Sequence, residues 1–167
     1  MEKHKEYGIT GPAMNNSAGV VQMSARCFPT LLEKIYKAVP LRRIQRIDEQ
    51  MEIQRPPYPD AESYPVDYLL SACWVIRPEV IAKAGMLDEK IFYAPEDAEY
   101  CIRVWKSGYQ CAFCPSAKII HEYQRISKKK LFSRVNWEHI KGLAYMFMKH
   151  GYLFRAEKIR RSYSLKQ

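Results

Sequence analysis

An acidic pair, Glu96 and Asp97, directly follows Pro95 in the run APEDAEYCIRVWKSGY. Proline favours the first turn of a helix, so the pair is expected there. Unpaired backbone N–H groups and the helix dipole at that end keep a carboxylate ionised and oriented. Such a carboxylate can act as a general base. The alternative is purely structural, since acidic residues are common at helix N termini whatever the protein does.

A histidine and two cysteines are the candidate metal ligands. His121 ends the run AKIIH. A neutral imidazole suits a borderline divalent ion, although Mg2+ prefers oxygen, and an ordinary hydrogen-bonded surface histidine is the alternative. Cys111 and Cys114 have the spacing of a zinc-binding pair, but a second pair at finger-like spacing is missing. The five cysteines are an odd number, so we interpret them as reduced core thiols.

Alternating strand-like and helix-like segments predict an α/β fold around these residues. The first part of the chain predicts strands over 7–11 and 20–25, followed by a helix, LLEKIYKAV, capped by Thr30. Segment 41–54 is charged and ambiguous, with a helix as one interpretation. The proline-rich run RPPYPDAESYP predicts an exposed extended loop.

The middle of the chain carries the expected core. The run VDYLLSACWVI predicts a single central strand buried on both faces. Pro78 and Gly85 bound a short helix, and Pro95 and Gly108 bound a longer one. The remaining predicted elements are strands over 110–114 and 118–121 and a helix over 137–154 with a basic continuation to residue 166.

The net charge of +9 is concentrated at one end of the chain. Residues 1–127 hold 16 basic and 16 acidic residues, whereas residues 128–167 hold 11 basic and 2 acidic residues. Aromatic residues alternate with cations in this last segment, a pattern that suits the surface of an anionic membrane. A helix that packs on the domain with its charges in water is an equally good interpretation, and the two are compatible.

Two classes of protein are disfavoured. No run of about 18 apolar residues is present and the first residues lack the apolar stretch of a signal peptide, which predicts a cytoplasmic protein, at most peripheral on the inner membrane face. A basic sequence also invites a nucleic-acid-binding module, but no helix-turn-helix, RNA-recognition or finger motif accompanies the charge. We therefore expect no nucleic-acid partner.

The order of several runs is more specific than any single motif. The strand ACWVIRPEVIAKAGMLDEKIF, the run APEDAEYCIRVWKSGY and the run CPSAKIIH closely resemble the second half of family-two glycosyltransferases, which adopt the Rossmann-like GT-A fold. The N-terminal GITGPAMNNSAGVVQMSARCFPT is similar to the segment that follows the family's acidic metal motif. The resemblance covers about residues 7 to 127. Within the family, these runs most resemble the bacterial rhamnosyltransferase-like branch.

This resemblance implies transfer of a sugar from a nucleoside diphosphate donor to an acceptor hydroxyl, with inversion and with Mg2+ or Mn2+. It implies that Asp97 is the general base, that Glu96 orients or binds the acceptor, and that His121 lies near the metal and diphosphate. Cys73 and Trp74 would underlie the sugar and acceptor pocket. Arg125, with the lysines of 128–130, would screen the leaving diphosphate, a solvated basic loop being the alternative.

The nucleotide-binding half of the family has no counterpart in these residues. The aspartates are never two apart, so the Asp-x-Asp metal motif is absent. We therefore predict a partial GT-A domain over 1–127, a mixed sheet flanked by helices without the N-terminal nucleotide-binding strands, and a basic helical extension over 128–167. An open apolar sheet edge should follow, with a separate N-terminal half or a second copy as its partner. The chain is then a fragment, half of a split enzyme in bacterial surface polysaccharide or glycolipid assembly, or a non-catalytic, self-associating remnant.

Overall fold

The computed structural model describes residues 1–38, 52–55, 61–122 and 134–164. The strands and helices follow one another in this order: β1 (Tyr7–Asn15), β2 (Val21–Gln22), β3 (Ala25–Arg26), α1 (Leu31–Ala38), β4 (Tyr64–Val66), β5 (Tyr68–Leu69), β6 (Val75–Ile76), α2 (Pro78–Ala84), α3 (Glu96–Lys106), β7 (Gln110–Ile120), α4 (Arg134–His150) and α5 (Glu157–Ser164).

Two long parallel strands, β1 and β7, form the centre of the main sheet, with Ile9 opposite Cys111 and Asn15 opposite Ile120. Strands β2 and β6 pair antiparallel with β1, and β4 pairs antiparallel with β7 on its other side. Strands β3 and β5 form a separate two-stranded sheet. The predicted α/β class, with a mixed sheet flanked by helices and consistent with a partial Rossmann-like domain, is confirmed.

The single central strand predicted over residues 66–76 is wrong. The run forms three short pieces: the end of β4, then β5 in the small sheet, then β6 back on β1. A bend at Asp67 separates the first two, and its buried carboxylate accepts a hydrogen bond from the backbone N–H of Phe28 at 2.8 Å. An apolar run predicts burial but cannot reveal that the chain changes sheets. The first two pieces are buried, whereas in β6 Val75 is exposed and Ile76 is only partly buried.

Strands predicted separately over 110–114 and 118–121 are one strand, β7. Opposite Pro12 and Ala13 of β1 its pairing jumps from Cys114 to Lys118, which marks a local irregularity in an otherwise continuous ladder. Pro115 lies between these paired positions, and the sequence pattern there predicted the end of one strand and the start of another.

The helices predicted after Thr30, between Pro78 and Gly85 and between Pro95 and Gly108 are present, and the C-terminal one is divided, whereas most of the ambiguous segment 41–54 lies outside the described residues. Thr30 caps α1, its Oγ1 accepting from the backbone N–H of Glu33 at 3.2 Å, and α2 ends at Gly85, which has φ +77°. The helix predicted over 137–154 runs instead over Arg134–His150 and ends because Gly151 takes φ +67°. A separate helix, α5, follows.

Helix α5 packs against α3. Ile159 is buried, and the Tyr163 ring meets Trp105 edge-on with 5.5 Å between centroids. Within α4, Phe147 is buried while Ile140 is exposed. Within the described ranges no helix is both long and apolar enough to cross a membrane.

Candidate active site

Asp97 lies in the first turn of α3, as the sequence predicts. Its Oδ1 accepts a hydrogen bond from the backbone N–H of Ala98 at 2.7 Å. Burial, and then the negative charge of Glu96, raise the pKa of Asp97 to about 7, while the Ala98 N–H and the charge of Arg26 act in the opposite direction. The helix terminus therefore orients this carboxylate, but burial outweighs its ionising effect. The result is a group that exchanges a proton near neutral pH, as a general base requires.

Glu96 and Trp74 present unpaired polar atoms beside this helix turn. The Trp74 ring stacks on Tyr100 with 5.8 Å between centroids, and Tyr100 lies one helical turn after Glu96 on the same face of α3. Glu96 Oε2 and Trp74 Nε1 are buried, and neither has a hydrogen-bond partner among the described residues. A carboxylate oxygen and an indole N–H are complementary to a hydroxyl, which can donate to the first and accept from the second.

Cys73 precedes Trp74 at the edge of the central strand pair. A Cβ placed on Gly11 of β1 would lie 3.4 Å from the carbonyl oxygen of Cys73, so β1 and this segment approach closely. The Cys73 side chain is partly exposed. Strand β6, which begins at Val75, then fixes the direction of Trp74 toward α3.

Arg26 and Tyr68 complete the surroundings of Asp97. They are opposite each other in the small sheet, and Arg26 forms an ion pair with Glu52. Burial raises the pKa of Tyr68 well above its usual range, and the charge of Asp97 adds to the shift, so the phenol stays protonated. Sequence reasoning missed Arg26, because a single arginine after the run VVQMSA carries no local signal of its partner more than 70 residues away along the chain.

His121 lies just after β7, beside β2. Its backbone N–H donates to the Asn15 carbonyl at 2.7 Å, Gln22 Nε2 donates to the His121 carbonyl at 2.8 Å, and Nδ1 lies 3.0 Å from Gln22 Oε1. Because Gln22 Oε1 can only accept, Nδ1 is the donor in this contact, and Nε2 is the ring nitrogen that a metal ion would use.

The described residues nevertheless do not make a metal centre. Across 1–38, 52–55, 61–122 and 134–164, no three His, Cys, Asp or Glu side chains are placed to hold a metal ion. Cys111 is fully buried in contact with the Cys101 thiol, and burial raises its pKa well above the ordinary thiol value. Arg125 and the lysines of 128–130 lie outside the described residues.

Comparison with known proteins adds one finding. No family model matches the chain. It is 25% identical over 149 residues, 89% of its length, to the N-acetylglucosaminyl-diphospho-decaprenol L-rhamnosyltransferase of two Mycobacterium tuberculosis strains. This similarity supports a relationship to the glycosyltransferases. The chain spans about half, 48%, of the length of these curated relatives.

The similarity to this glycosyltransferase extends further along the chain than the quoted motifs. A match of 149 residues cannot fit within residues 1–127, so it includes part of the basic C-terminal segment. The described part of that segment is α4 and α5, which pack against α3, the helix that carries Asp97. The relationship and the packing thus both connect the C-terminal helices to the candidate site.

Proposed function

We propose that the chain is the acceptor-binding and base-bearing half of an inverting GT-A glycosyltransferase, which moves a sugar from a nucleoside diphosphate donor to an acceptor hydroxyl. The observation that carries the proposal is Asp97, a partly buried carboxylate in the first turn of α3 with a pKa of about 7. The distant similarity to a rhamnosyltransferase supports the same class of reaction.

Different residues are proposed for acceptor binding, proton transfer and screening of the leaving group. The acceptor hydroxyl binds between Glu96 Oε2 and Trp74 Nε1, the two buried atoms without partners among the described residues. As its oxygen bonds to the anomeric carbon, the bond from that carbon to the diphosphate breaks, and the hydroxyl proton passes to the Asp97 carboxylate. The diphosphate leaves with the electron pair of the broken bond, and Arg125 is the proposed cation that screens it.

The donor site is proposed to come from outside these residues. Strand β6 pairs with β1 on one side, and no other described strand pairs with its outer side, where Val75 is 59% exposed. We place the partner there, as nucleotide-binding strands of a longer chain or of a separate polypeptide. Mg2+ or Mn2+ would be held by acidic ligands of that half, with His121 at most as an additional ligand.

The acceptor is proposed to be a carbohydrate or a lipid-linked saccharide, as in assembly of a bacterial surface polysaccharide or glycolipid. The name of the mycobacterial relatives describes a lipid diphosphate-linked acceptor and the transfer of a rhamnosyl group.

Calorimetry and reconstitution test this proposal. The 167-residue chain alone should transfer no sugar and bind nucleoside diphosphate sugars weakly or not at all; metal-dependent micromolar binding by it would contradict the division of sites. Co-purified with its donor-binding half, it should transfer sugar, and Asp97→Asn should abolish transfer while leaving donor binding unchanged.

The second candidate is a non-catalytic, self-associating remnant of the same fold. The open outer side of β6 favours it equally, because a second copy can pair there. A chain that forms a stable homodimer, and that gives no transfer with any co-purified partner, would support the remnant.

A further inference from the structure

Helices α1 and α4 enclose an apolar groove away from the Asp97 turn. Its volume is about 610 Å3, and its walls include Leu31 of α1 and Ile140, Leu143 and Met148 of α4, with Leu153 closing one end. Apart from Lys34, every side chain that lines it is uncharged.

The rim of the groove is exposed apolar surface. Trp137, Ile140 and Met148 of α4 are 60%, 56% and 76% exposed, and Leu153 and Phe154 after the helix are 46% and 59% exposed. These α4 positions share one face because they are spaced by three or by twice four residues. Soluble proteins rarely expose so many large apolar side chains together without a binding role.

A cationic surface continues from the groove. Gly151, Tyr152 and Leu153 line both the groove and an adjoining depression that contains Arg155, Lys158 and Arg161. The three cations are exposed, and Glu157 is the acidic residue beside them. Helix α5 holds this orientation because its opposite face is fixed by buried Ile159 and Tyr163.

We propose that this apolar–basic face, formed by the exposed side chains of Trp137, Ile140, Met148, Phe154, Arg155, Lys158 and Arg161, docks on the surface of an anionic lipid bilayer. Apolar and aromatic side chains enter the headgroup boundary while the neighbouring cations meet anionic headgroups. The charge decides between occupants: a second copy on the same face would bring like charges together, whereas an anionic bilayer is complementary. The inference does not depend on the proposed sugar transfer.

The structure limits which aromatic and basic residues of the C-terminal segment can contact the membrane. Phe147 and Tyr152 are buried, and Tyr145 donates a hydrogen bond to Asp88 at 2.9 Å, so these aromatic residues do not face the lipid. Lys141 and Lys149 form ion pairs with Glu138 and Asp88. Truncation after residue 150 is an unsuitable test, because it removes the buried side chains of α5.

Vesicle sedimentation with point variants tests the proposal. The intact chain should sediment with vesicles of equal parts phosphatidylglycerol and phosphatidylcholine and stay in the supernatant with phosphatidylcholine alone. The double variant Met148→Glu, Phe154→Glu should weaken binding at least tenfold. Its control is Met86→Glu, which changes a comparably exposed methionine outside the face, 73% exposed, and should bind as the wild type does.

A charge-matched pair of triple variants distinguishes vesicle binding through this face from general electrostatic attraction of a basic protein to the vesicle. Changing Arg155, Lys158 and Arg161 to Gln should weaken vesicle binding at least tenfold, whereas changing the exposed Lys3, Lys83 and Lys118 to Gln should leave it within about twofold. Circular dichroism establishes that each variant is folded. Equal effects of the two triple variants would overturn the proposal, and so would unchanged vesicle binding by the Met148→Glu, Phe154→Glu double variant. A lipid-free dimer that this double variant dissociates would overturn it as well.

Discussion

Arg160 of α5 and Asp67, between β4 and β5, form a two-point ion pair across 93 residues of sequence, with Nε 2.6 Å from Oδ1 and Nη2 2.5 Å from Oδ2. Asp67 is 1% exposed, and its backbone carbonyl accepts from Trp105 Nε1 at 3.0 Å. One residue thus connects the C-terminal helix to the helix that carries Asp97. The basic C-terminal segment supplies a counter-charge to the core as well as charge to the surface.

Arg160→Ala should lower the free energy of unfolding by about 2–4 kcal/mol, because it leaves the buried Asp67 carboxylate without its counter-charge. Urea denaturation measures the loss. The neighbouring Arg161 is exposed, so Arg161→Ala should change stability by no more than about 0.5 kcal/mol. Equal effects of the two substitutions would contradict a structural role for the ion pair.

Asp97 should make the protein less stable as the pH rises. Its pKa is about 7 in the folded chain against an ordinary 3.8, so the folded state holds a proton that the unfolded state has released. Stability from this group is full below about pH 4 and is lost as the pH rises to about 7. We would measure the free energy of unfolding in urea at about pH 5 and about pH 8. The value for Asp97→Asn, relative to that of the wild type, should be higher at about pH 8.

Asp88 should change stability with pH in the opposite direction to Asp97. Its hydrogen bond from Lys149 is the largest influence and lowers the pKa of Asp88 to about 2. The stability it contributes is present above about pH 4 and is lost as the pH falls toward 2, so Asp88→Asn should cost most at neutral pH. If Asp97→Asn and Asp88→Asn show the same pH trend, the burial argument for Asp97 is wrong.

If the proposed reconstitution gives an active enzyme, Asp97 should set the pH dependence of its rate. A base must be ionised to accept a proton, so transfer should rise with pH and level off above about pH 7. Initial rates at saturating donor across this range measure it. A rate that stays flat down to about pH 5 would exclude Asp97 as the base.

Glu99→Gln should destabilise the junction of α3 and α4. The fully buried Glu99 accepts from Arg103 Nε at 3.0 Å and pairs with Lys149 at 2.8 Å and with His150 at 3.0 Å. Burial alone would raise the pKa of Glu99, but these partners outweigh it and lower the pKa. We expect a loss of about 2–4 kcal/mol in urea denaturation.

The control for Glu99 is an ion pair on the surface of α4. Glu138 pairs with the exposed Lys141, and Glu138→Gln should cost no more than about 0.5 kcal/mol. Because the pKa of Glu99 is lowered, its contribution is present above the ordinary carboxyl pKa and disappears as the pH falls through the folded value. A loss for Glu99→Gln that persists in strong acid would point to packing rather than charge.

Gly142→Ala should destabilise the protein although it lies in a helix. Alanine usually stabilises a helix interior by about 1 kcal/mol relative to glycine. A Cβ at Gly142 would however lie 2.7 Å from the Ala94 carbonyl oxygen and 3.1 Å from Pro95 Cδ, so the backbone before Asp97 must shift. Thermal unfolding should show a lower midpoint than Lys141→Ala, and transfer by the reconstituted enzyme should fall. An unchanged midpoint would show that the backbone before α3 can shift with little loss of stability.

The features that the sequence predicted correctly depend on neighbours along the chain. Thr30 starts α1, Gly85 ends α2, and Pro95 leads into α3 with the acidic pair in its first turn. Capping and the backbone limits of proline and glycine act within one helical turn, so they are visible in a short stretch of residues. The apolar run after Pro65 failed as a strand prediction because burial is compatible with one strand or with three.

By itself, therefore, the sequence determined the start of α1, the end of α2, the start of α3, the α/β class and the acidic pair as the candidate base. Only the tertiary structure decided that the partly buried Asp97 has a pKa near neutral, that Trp74 stacks on Tyr100, and that Arg160 reaches Asp67. Burial and pairing depend on side chains that are distant in sequence and close in space, and local patterns do not contain that information. The basic segment shows the difference: its charge is evident from the residues, but packing of Ile159 and Tyr163 decides which cations face outward.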